Sequence, residues 1–450
     1  MTAADTIAAV ATAPGEGAIS LLRISGPGAL GVADRVCQAK CAPSQAAPRT
    51  QQRAILQDPL GRRLDDVLVC VHRAPRSYTG EDLVEISCHG GQLITRRALE
   101  TVLAAGARLA NPGEFTQRAF LNGKMDLTQA EAVMDLIQAR TDLSLRAASA
   151  QLEGQLGRRV ALLRDGLLDL TAHVEAYIDF PEEDIEPETG ALLLARMDGV
   201  LAGLDALLAT AAQGRILREG VRTVIHGAPN AGKSSLLNAL LGQDRAIVSH
   251  LPGTTRDTIE EQINVRGIAL RLIDTAGLRV SDDPLERAGM DRTRQSLAQA
   301  DLALRVADAS QPPSDDPAEG NGENQILVLN KIDLGLDPGW AGRPGDAVPV
   351  SCRTGEGIEA LKDAIFTRVT ARAGGGWDEA VAAINARHGE CLRRARETLL
   401  AARQALGAGT PAEFVAIDLR AAFEAVGEIS GGADTEDILG RIFASFCLGK

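Results

Sequence analysis

Aromatic side chains are scarce in this chain: Phe, Trp and Tyr make up 3% of its 450 residues, while the hydrophobic share, 45%, is ordinary for a folded protein. Packing therefore falls mainly to Leu- and Ala-rich helices. Long apolar runs are also missing. Nowhere do about 18 uncharged apolar residues follow one another, as a membrane-spanning helix requires. The opening "MTAADTIAAVATAPGEG" has neither the basic segment nor the apolar core of a secretory signal. The expectation is a cytoplasmic protein with no membrane partner. Cysteine is sparse and odd in number: seven, spread from Cys37 to Cys447, do not resemble a disulfide framework and suit a reducing compartment. Cys37 and Cys41 in "CQAKC" would make half a metal site, but no second Cys/His pair completes it. Positive charge is in deficit, with 47 Lys/Arg against 60 Asp/Glu and a net charge of −13. That balance opposes casual attraction to nucleic acid, whose phosphates repel an acidic surface. Residues 1–121 nevertheless hold 13 Lys/Arg against 11 Asp/Glu, so an anionic ligand favours the N-terminal part.

At roughly 100–200 residues per domain the chain holds two to four domains. Residues 1–121 mix short β-rich runs ("GAISLLRIS", "DVLVCVHR", "DLVEISCHG") with a helical stretch after Gly91, which predicts a small α+β domain. Residues 122–219 are helical in texture: Leu163, Leu167, Leu170, Val174 and Ile178 recur at helical spacing on one face, a packing stripe. "DFPEEDIEPE" (179–188) is then an acidic, solvated loop. Residues 220–373 alternate strand-like and helix-like segments, the pattern of a parallel sheet with crossover helices, interrupted by a polar loop at 310–324. Residues 374–450 are helical again. The two helical stretches share a texture and bracket the α/β part, which predicts one discontinuous helical domain carrying an inserted Ras-like P-loop domain.

The inserted part carries the chemistry. "GAPNAGKS" (227–234) matches G-x-x-x-x-G-K-[ST] directly after a strand and at the start of a helix. Backbone N–H groups of Asn230, Ala231, Gly232, Ser234 and Ser235 converge there on phosphate, Lys233 reaches the β- and γ-phosphates, and Ser234 ligates Mg2+. In "NKID" (330–333), with Asn330 and Lys331, Asp333 accepts from N1–H and N2–H2 of guanine. Adenine lacks those donors, so GTP is the substrate and an ATP-hydrolysing enzyme is opposed. Ser351, Cys352 and Arg353 stand where backbone contacts to guanine are added. Between cradle and base lie "SHLPGTT" (Ser249, His250, Leu251, Pro252, Gly253, Thr254, Thr255) and "DTAG" (Asp274, Thr275, Ala276, Gly277). Thr255 reaches Mg2+, Asp274 holds it through water, and the Gly277 N–H senses the γ-phosphate. Two features are missing. Residue 278 is Leu rather than a water-positioning Gln, and no arginine finger is evident.

Together "GAPNAGKSSLLN", "IVSHLPGTTRD", "LIDTAGLR", "RAFLNGKMDLTQAEA" (118–132) and the terminal "CLGK" resemble the MnmE, or TrmE, family of tRNA modification GTPases, over nearly the whole chain. The resemblance implies a homodimer with an N-terminal folate-binding and dimerisation domain (1–121), a helical domain in two parts (122–219 and 374–450) and a GTPase domain (220–373). It also fills the two gaps. It implies that Asn230, with backbone oxygens of Ser249, Leu251 and Thr254, holds a K+ that replaces the arginine finger, and that Glu286 positions water. From its position alone, Glu286 also suits a solvated first helical turn. Arg23, Glu85, Lys124 and Lys450 match the family's site for 5-formyl- or methylene-tetrahydrofolate. The resemblance further implies a heterotetramer with the FAD-dependent MnmG (GidA) protein, acting on C5 of the wobble uridine of tRNA. A regulatory GTPase of the ribosome-assembly type, without folate chemistry, is the rival that the G motifs alone leave open. Cys447 fits a nucleophile, a redox thiol or a small buried hydrophobe. Arg305 in "LALRVAD" falls where the family is apolar, so it pairs, snorkels at the sheet's margin, or marks a misplaced strand.

Overall fold

The computed structural model describes residues 5–179, 190–243, 262–273, 297–313, 324–341, 347–374, 377, 384–432, 436–444, 446–447 and 449–450. They form two compact units, one of the chain up to Met134 with Gly427–Lys450, the other of the described residues of 135–426.

In the first unit, alternation builds the sheet. Leu22 and Ile24 are buried around Arg23 in β2 (Gly17–Ser25), Val84 and Ile86 around Glu85 in β6 (Leu83–Gly90), and Val69 and Val71 around Cys70 in β5 (Arg63–His72). Because residues two apart share a face, the apolar set closes a core beneath α1 (Ala29–Val36) and α2 (Gln92–Ala104). With β1 (Ile7–Val10), β3 (Cys37–Ala39), β4 (Gln51–Gln57) and β7 (Arg108–Leu109), the strand order is β3-β4-β5-β6-β2-β1-β7. The register sets Arg23 opposite Glu85 and Glu85 opposite Cys70, a polar row on the face the helices leave uncovered. Arg118 of α3 (Glu114–Leu121) is buried and donates to Asp5 Oδ1 (2.6 Å), Glu114 Oε1 (2.9 Å) and both oxygens of Glu81 (3.2 Å). It thereby ties the 75–82 loop to the sheet.

The chain's end also joins this unit, although its texture groups it with the helices. A Cβ on Gly113 would stand 2.8 Å from Phe443 O, and one on Gly449 (φ +88°) 2.4 Å from Val10 O, so the tail lies directly on sheet backbone.

In the second unit, α6 (Gln155–Asp179) buries Leu163, Leu167, Leu170 and Val174, with Ile178 half-buried. The helices α7 (Gly190–Leu208), α11 (Ala386–Gly407) and α12 (Ala412–Ser430) complete the bundle. Helices that follow the α/β part return to those before it: Arg396 of α11 pairs with Asp205 of α7 (2.5 Å), and Arg420 of α12 with Glu175 of α6 (2.6 Å). The α/β part is a six-stranded sheet in the order β13-β12-β11-β8-β10-β9, built of β8 (Val221–His226), β9 (Gln262–Val265), β10 (Ile268–Leu272), β11 (Leu302–Asp308), β12 (Gln325–Asn330) and β13 (Ala347–Pro349). It is parallel except for the β9–β10 hairpin, packed against α9 (Lys233–Gln243) and α10 (Ile358–Arg372). The sequence reading missed β9. Its signal was the Arg266-Gly267 turn, whose φ values of 52° and 88° suit a two-residue hairpin.

Arg305 lies inside β11, buried, registered between His226 and Leu327, so the strand is correctly placed and the arginine is not at the sheet's margin. It is engaged rather than unpaired. Among the described residues no helix is long and apolar enough to cross a membrane.

Candidate functional site

The cradle follows β8 without a gap. Gly227 (φ +142°) and Gly232 (φ +98°) are required twice over: an added Cβ would stand 2.1 Å from Val306 O at the first and 2.1 Å from Asn330 Nδ2 at the second. Asn230 is exposed and also takes a positive φ, 62°. Ala231 is buried, Ser234 half-buried in the first turn of α9, and Ser235 exposed. Lys233 Nζ donates to Gly227 O and Ala228 O, both at 2.9 Å, and burial holds its pKa below the usual lysine range. The ammonium is therefore held at the cradle by two of its own loop carbonyls.

Asn330 joins the cradle to the loop at 351–353. Its Nδ2 donates to Ala231 O (2.9 Å) and its Oδ1 accepts from Cys352 N (3.1 Å). Lys331 pairs with Asp308 at 2.7 Å. Asp333 is exposed, and its Oδ1 accepts from the buried Ser351 hydroxyl at 2.7 Å, which fixes the carboxylate's direction. The Cys352 thiol is pushed up to about 11 by burial and then by Asp333, and Arg353 is exposed. Beneath the cradle His226 is pushed down to about 4, first by burial and then by Arg305 and Lys233, and its Nε2 is buried without a hydrogen-bond partner. Ser249, His250, Leu251, Pro252, Gly253, Thr254, Thr255, Asp274, Thr275, Ala276, Gly277 and Glu286 lie outside the described residues.

A second polar cluster lies in the first unit. Arg23 Nε donates to Glu85 Oε1 (2.8 Å), while Arg23 Nη1 is buried with no hydrogen-bond partner. The guanidinium lies 5.5 Å from the Tyr78 ring centre, and Tyr78 itself bonds Thr116 at 2.8 Å. Lys450 is half-buried, its pKa lowered by burial and then by Arg23. Arg23, Glu85 and Lys450 are thus brought together. Lys124 is exposed and donates to Pro75 O (3.0 Å), at the start of the loop that carries Tyr78. Sequence reasoning missed Tyr78 and His72, whose Nε2 lies 3.7 Å from Glu85 Oε2. Strand alternation put His72 on the right face, but the cross-strand register was not readable. Cys447 is exposed, which removes its reading as a buried hydrophobe.

Two family models match, "GTP-binding protein TrmE N-terminus" over residues 6–124 and "MnmE helical domain" over residues 127–447. The chain is 52% identical to a "tRNA modification GTPase MnmE" of Akkermansia muciniphila, covering 99% of each chain. It is 47% identical to one of Symbiobacterium thermophilum, again over 99% of each, and 46% identical to one of Geobacillus thermodenitrificans over the full length of both. Among solved structures, the G domain of the T. maritima FeoB iron transporter aligns with 33% of this chain and 98% of its own, at 28% identity and TM-score 0.23.

Proposed function

This chain belongs to the MnmE family of tRNA modification GTPases, and we propose that it hydrolyses GTP to drive the conversion of C5 of the wobble uridine in certain tRNAs to a carboxymethylaminomethyl-type group. GTP gives no atom to that product, so its hydrolysis acts through conformation. The observation that carries the reading is the Asn330 bridge, which makes phosphate cradle and guanine site one piece. Asp333, aimed by Ser351, accepts from the guanine donors. Lys233 exchanges the Gly227 and Ala228 carbonyls for phosphate oxygens, and the backbone N–H groups of 230–235 take the rest.

Ser234, half-buried at the helix start, suits Mg2+ together with Thr255, and Asn230, exposed at the turn of the cradle, suits K+ together with the backbone of Ser249, Leu251 and Thr254. When bound, these ions neutralise charge developing on the phosphates. Glu286 orients the attacking water. In the first unit, Glu85 suits the donor edge of a pterin, and the partnerless Nη1 of Arg23 calls for an acceptor from outside the protein. Lys450 and Lys124 add charge for an anionic tail. We read this as the site of 5-formyl- or methylene-tetrahydrofolate, which supplies a one-carbon unit when bound. The protein works as a cytoplasmic homodimer, in a heterotetramer with the FAD-dependent MnmG (GidA) protein, with domains at 1–121, 122–219 with 374–450, and 220–373. A regulatory ribosome-assembly GTPase has no use for the Arg23–Glu85–Lys450 cluster.

Mass spectrometry of tRNA nucleosides from cells lacking this protein tests the reading: the wobble group disappears, and returns with the intact gene but not with Asp333→Asn. The same variant, purified, loses GTP and gains xanthosine triphosphate. Unaltered wobble uridines on removal of the protein overturn the reading.

A further inference from the structure

Helix α8 (Ala211–Glu219) belongs to two packings at once. Its Ile216 is buried in the GTPase core with Val221, Ile225 and Leu270. Its end is fastened to the sheet: Arg271 Nη1 donates to Glu219 O (3.3 Å), and a Cβ on Gly220 would stand 2.6 Å from Ala269 O. Arg215 reaches Asp301 Oδ1 at 3.2 Å, and Asp301 in turn accepts from the N–H and side chain of Arg222 in β8. From Arg222 the strand runs straight to the cradle, so α8 moves with the phosphate-binding strand.

Arg218, in the last turn of α8, reaches the other way. Its Nη2 donates to Asp135 Oδ2 at the end of α4 (Leu127–Gln138) at 2.5 Å, and to Gln151 Oε1 in α5 (Asp142–Leu152) at 3.3 Å. The other end of α5 is also held by the GTPase part, where a Cβ on Gly267 of the β9–β10 turn would stand 2.8 Å from Leu143 Cγ. Beside the Arg218 pair is a cavity of about 40 Å³, lined by Gln138, Ser144, Ala148 and Leu217 among others. This small pocket is partly open to solvent, and it gives the guanidinium room for a second position.

We propose that Arg218 is the coupling residue between the GTPase cycle and the helical bundle. Helix α8 and β8 shift as one rigid piece, and the Arg218–Asp135–Gln151 joint delivers that shift to α4 and α5. The inference rests on the GTPase activity and not on the folate or partner assignments. Energetic coupling needs an element that both sites bias, and α8 is the element in which both cores meet.

Hydrogen exchange on the full-length protein tests it, comparing GDP with a non-hydrolysable GTP analogue. In the unmodified protein the amides of 142–152 change their exchange severalfold between the two nucleotides. In Arg218→Met that response is lost, while GTP affinity stays within about twofold and the P-loop amides are still protected. If Arg218→Met does not fold, Gln151→Met removes one arm and leaves the ion pair, and the response is partly lost. An α5 response in Arg218→Met equal to that of the unmodified protein, no response in either, or GTP affinity falling in step with it overturns the proposal.

Discussion

At the cradle, the site we propose for an anion is built mainly of backbone N–H groups of one short turn, shaped by Gly227 and Gly232. In the N-terminal sheet the polar groups are side chains: Arg23 with its carboxylate partner Glu85 from two strands, and Lys450 from the end of the chain. Both places crowd cations, and they relieve the crowding differently. Around the cradle, Lys233 bonds two loop carbonyls and His226 stays neutral beside Arg305 and Lys233. In the sheet, Arg23 and Lys450 face one carboxylate, Glu85, and one guanidinium nitrogen is left buried without a partner. A backbone site fails when its geometry fails. A side-chain site fails one residue at a time.

The sharpest way to break that contrast is Gly227→Ala. The added methyl would stand 2.1 Å from Val306 O at a φ of +142°, so the turn must leave β11. Strain of this kind costs ~3 kcal/mol or more, and GTP affinity falls by ~100-fold or beyond, measured by titration with a fluorescent GTP analogue. Ser235→Ala, exposed on the same turn, leaves affinity within about twofold. Equal losses in the two variants would mean that side chains, not backbone shape, hold the nucleotide.

A second prediction concerns how the cradle tolerates its cations. His226 has a folded value of about 4 against the usual 6.5. Above pH 6.5 it is neutral folded and unfolded. As pH falls from 6.5 toward 4 the unfolded chain takes up a proton that the native site refuses, so stability is lost over that window, by up to about 3 kcal/mol. Urea titrations that follow the GTPase transition at pH 7 and pH 5 show this slope, and His226→Gln flattens it. An unchanged slope in the variant places the acid sensitivity elsewhere.

The same contrast explains what was legible in the sequence. The cradle and "NKID" could be read because each is local: the groups proposed to meet phosphate lie within nine consecutive residues, 227–235, and their chemistry demands glycine and lysine at set spacings. The strands β2, β5 and β6 and the α6 stripe were legible from period alone, while β1, β3, β4, β7 and β9 were not. The Arg23–Glu85 pair was not, because it depends on a register between residues 62 apart, and alternation gives a face without giving a partner. Its residues came from family resemblance, and Tyr78 and His72, which the resemblance did not supply, were missed. Arg305 was legible as an anomaly, and only the structure places it beside His226. The tail's contacts with Gly113 and Val10 were hidden for the same reason, since a helical texture does not say what the helix packs on.

Arg23→Met tests the side-chain site. It removes a charge-assisted hydrogen bond worth about 2 kcal/mol and leaves half-buried Glu85 without its nearest cation. A stable formyl-folate analogue then binds ~30-fold more weakly, by calorimetric titration, and GTP affinity does not move. Retained folate affinity would mean that this cluster only braces the sheet.

Ser351→Ala is expected to have the smallest effect, and it separates aiming from holding. The Ser351 hydroxyl donates to Asp333 Oδ1 (2.7 Å) and accepts from Thr354 N (3.2 Å). Its loss frees the Asp333 carboxylate to rotate and strands one N–H. Asp333 is exposed, so water replaces the lost donor, and the cost is one ordinary hydrogen bond of about 1 kcal/mol, or ~5-fold in the preference for GTP over ATP. The loop that carries Cys352 stays in place because Asn330 Oδ1 still holds the Cys352 N–H at 3.1 Å. Competition binding with the two nucleotides measures the preference. A loss as large as that of Arg23→Met for its own ligand would show that the guanine end, unlike the cradle, is held by side chains, and would move the line between the two kinds of site into the GTPase domain itself.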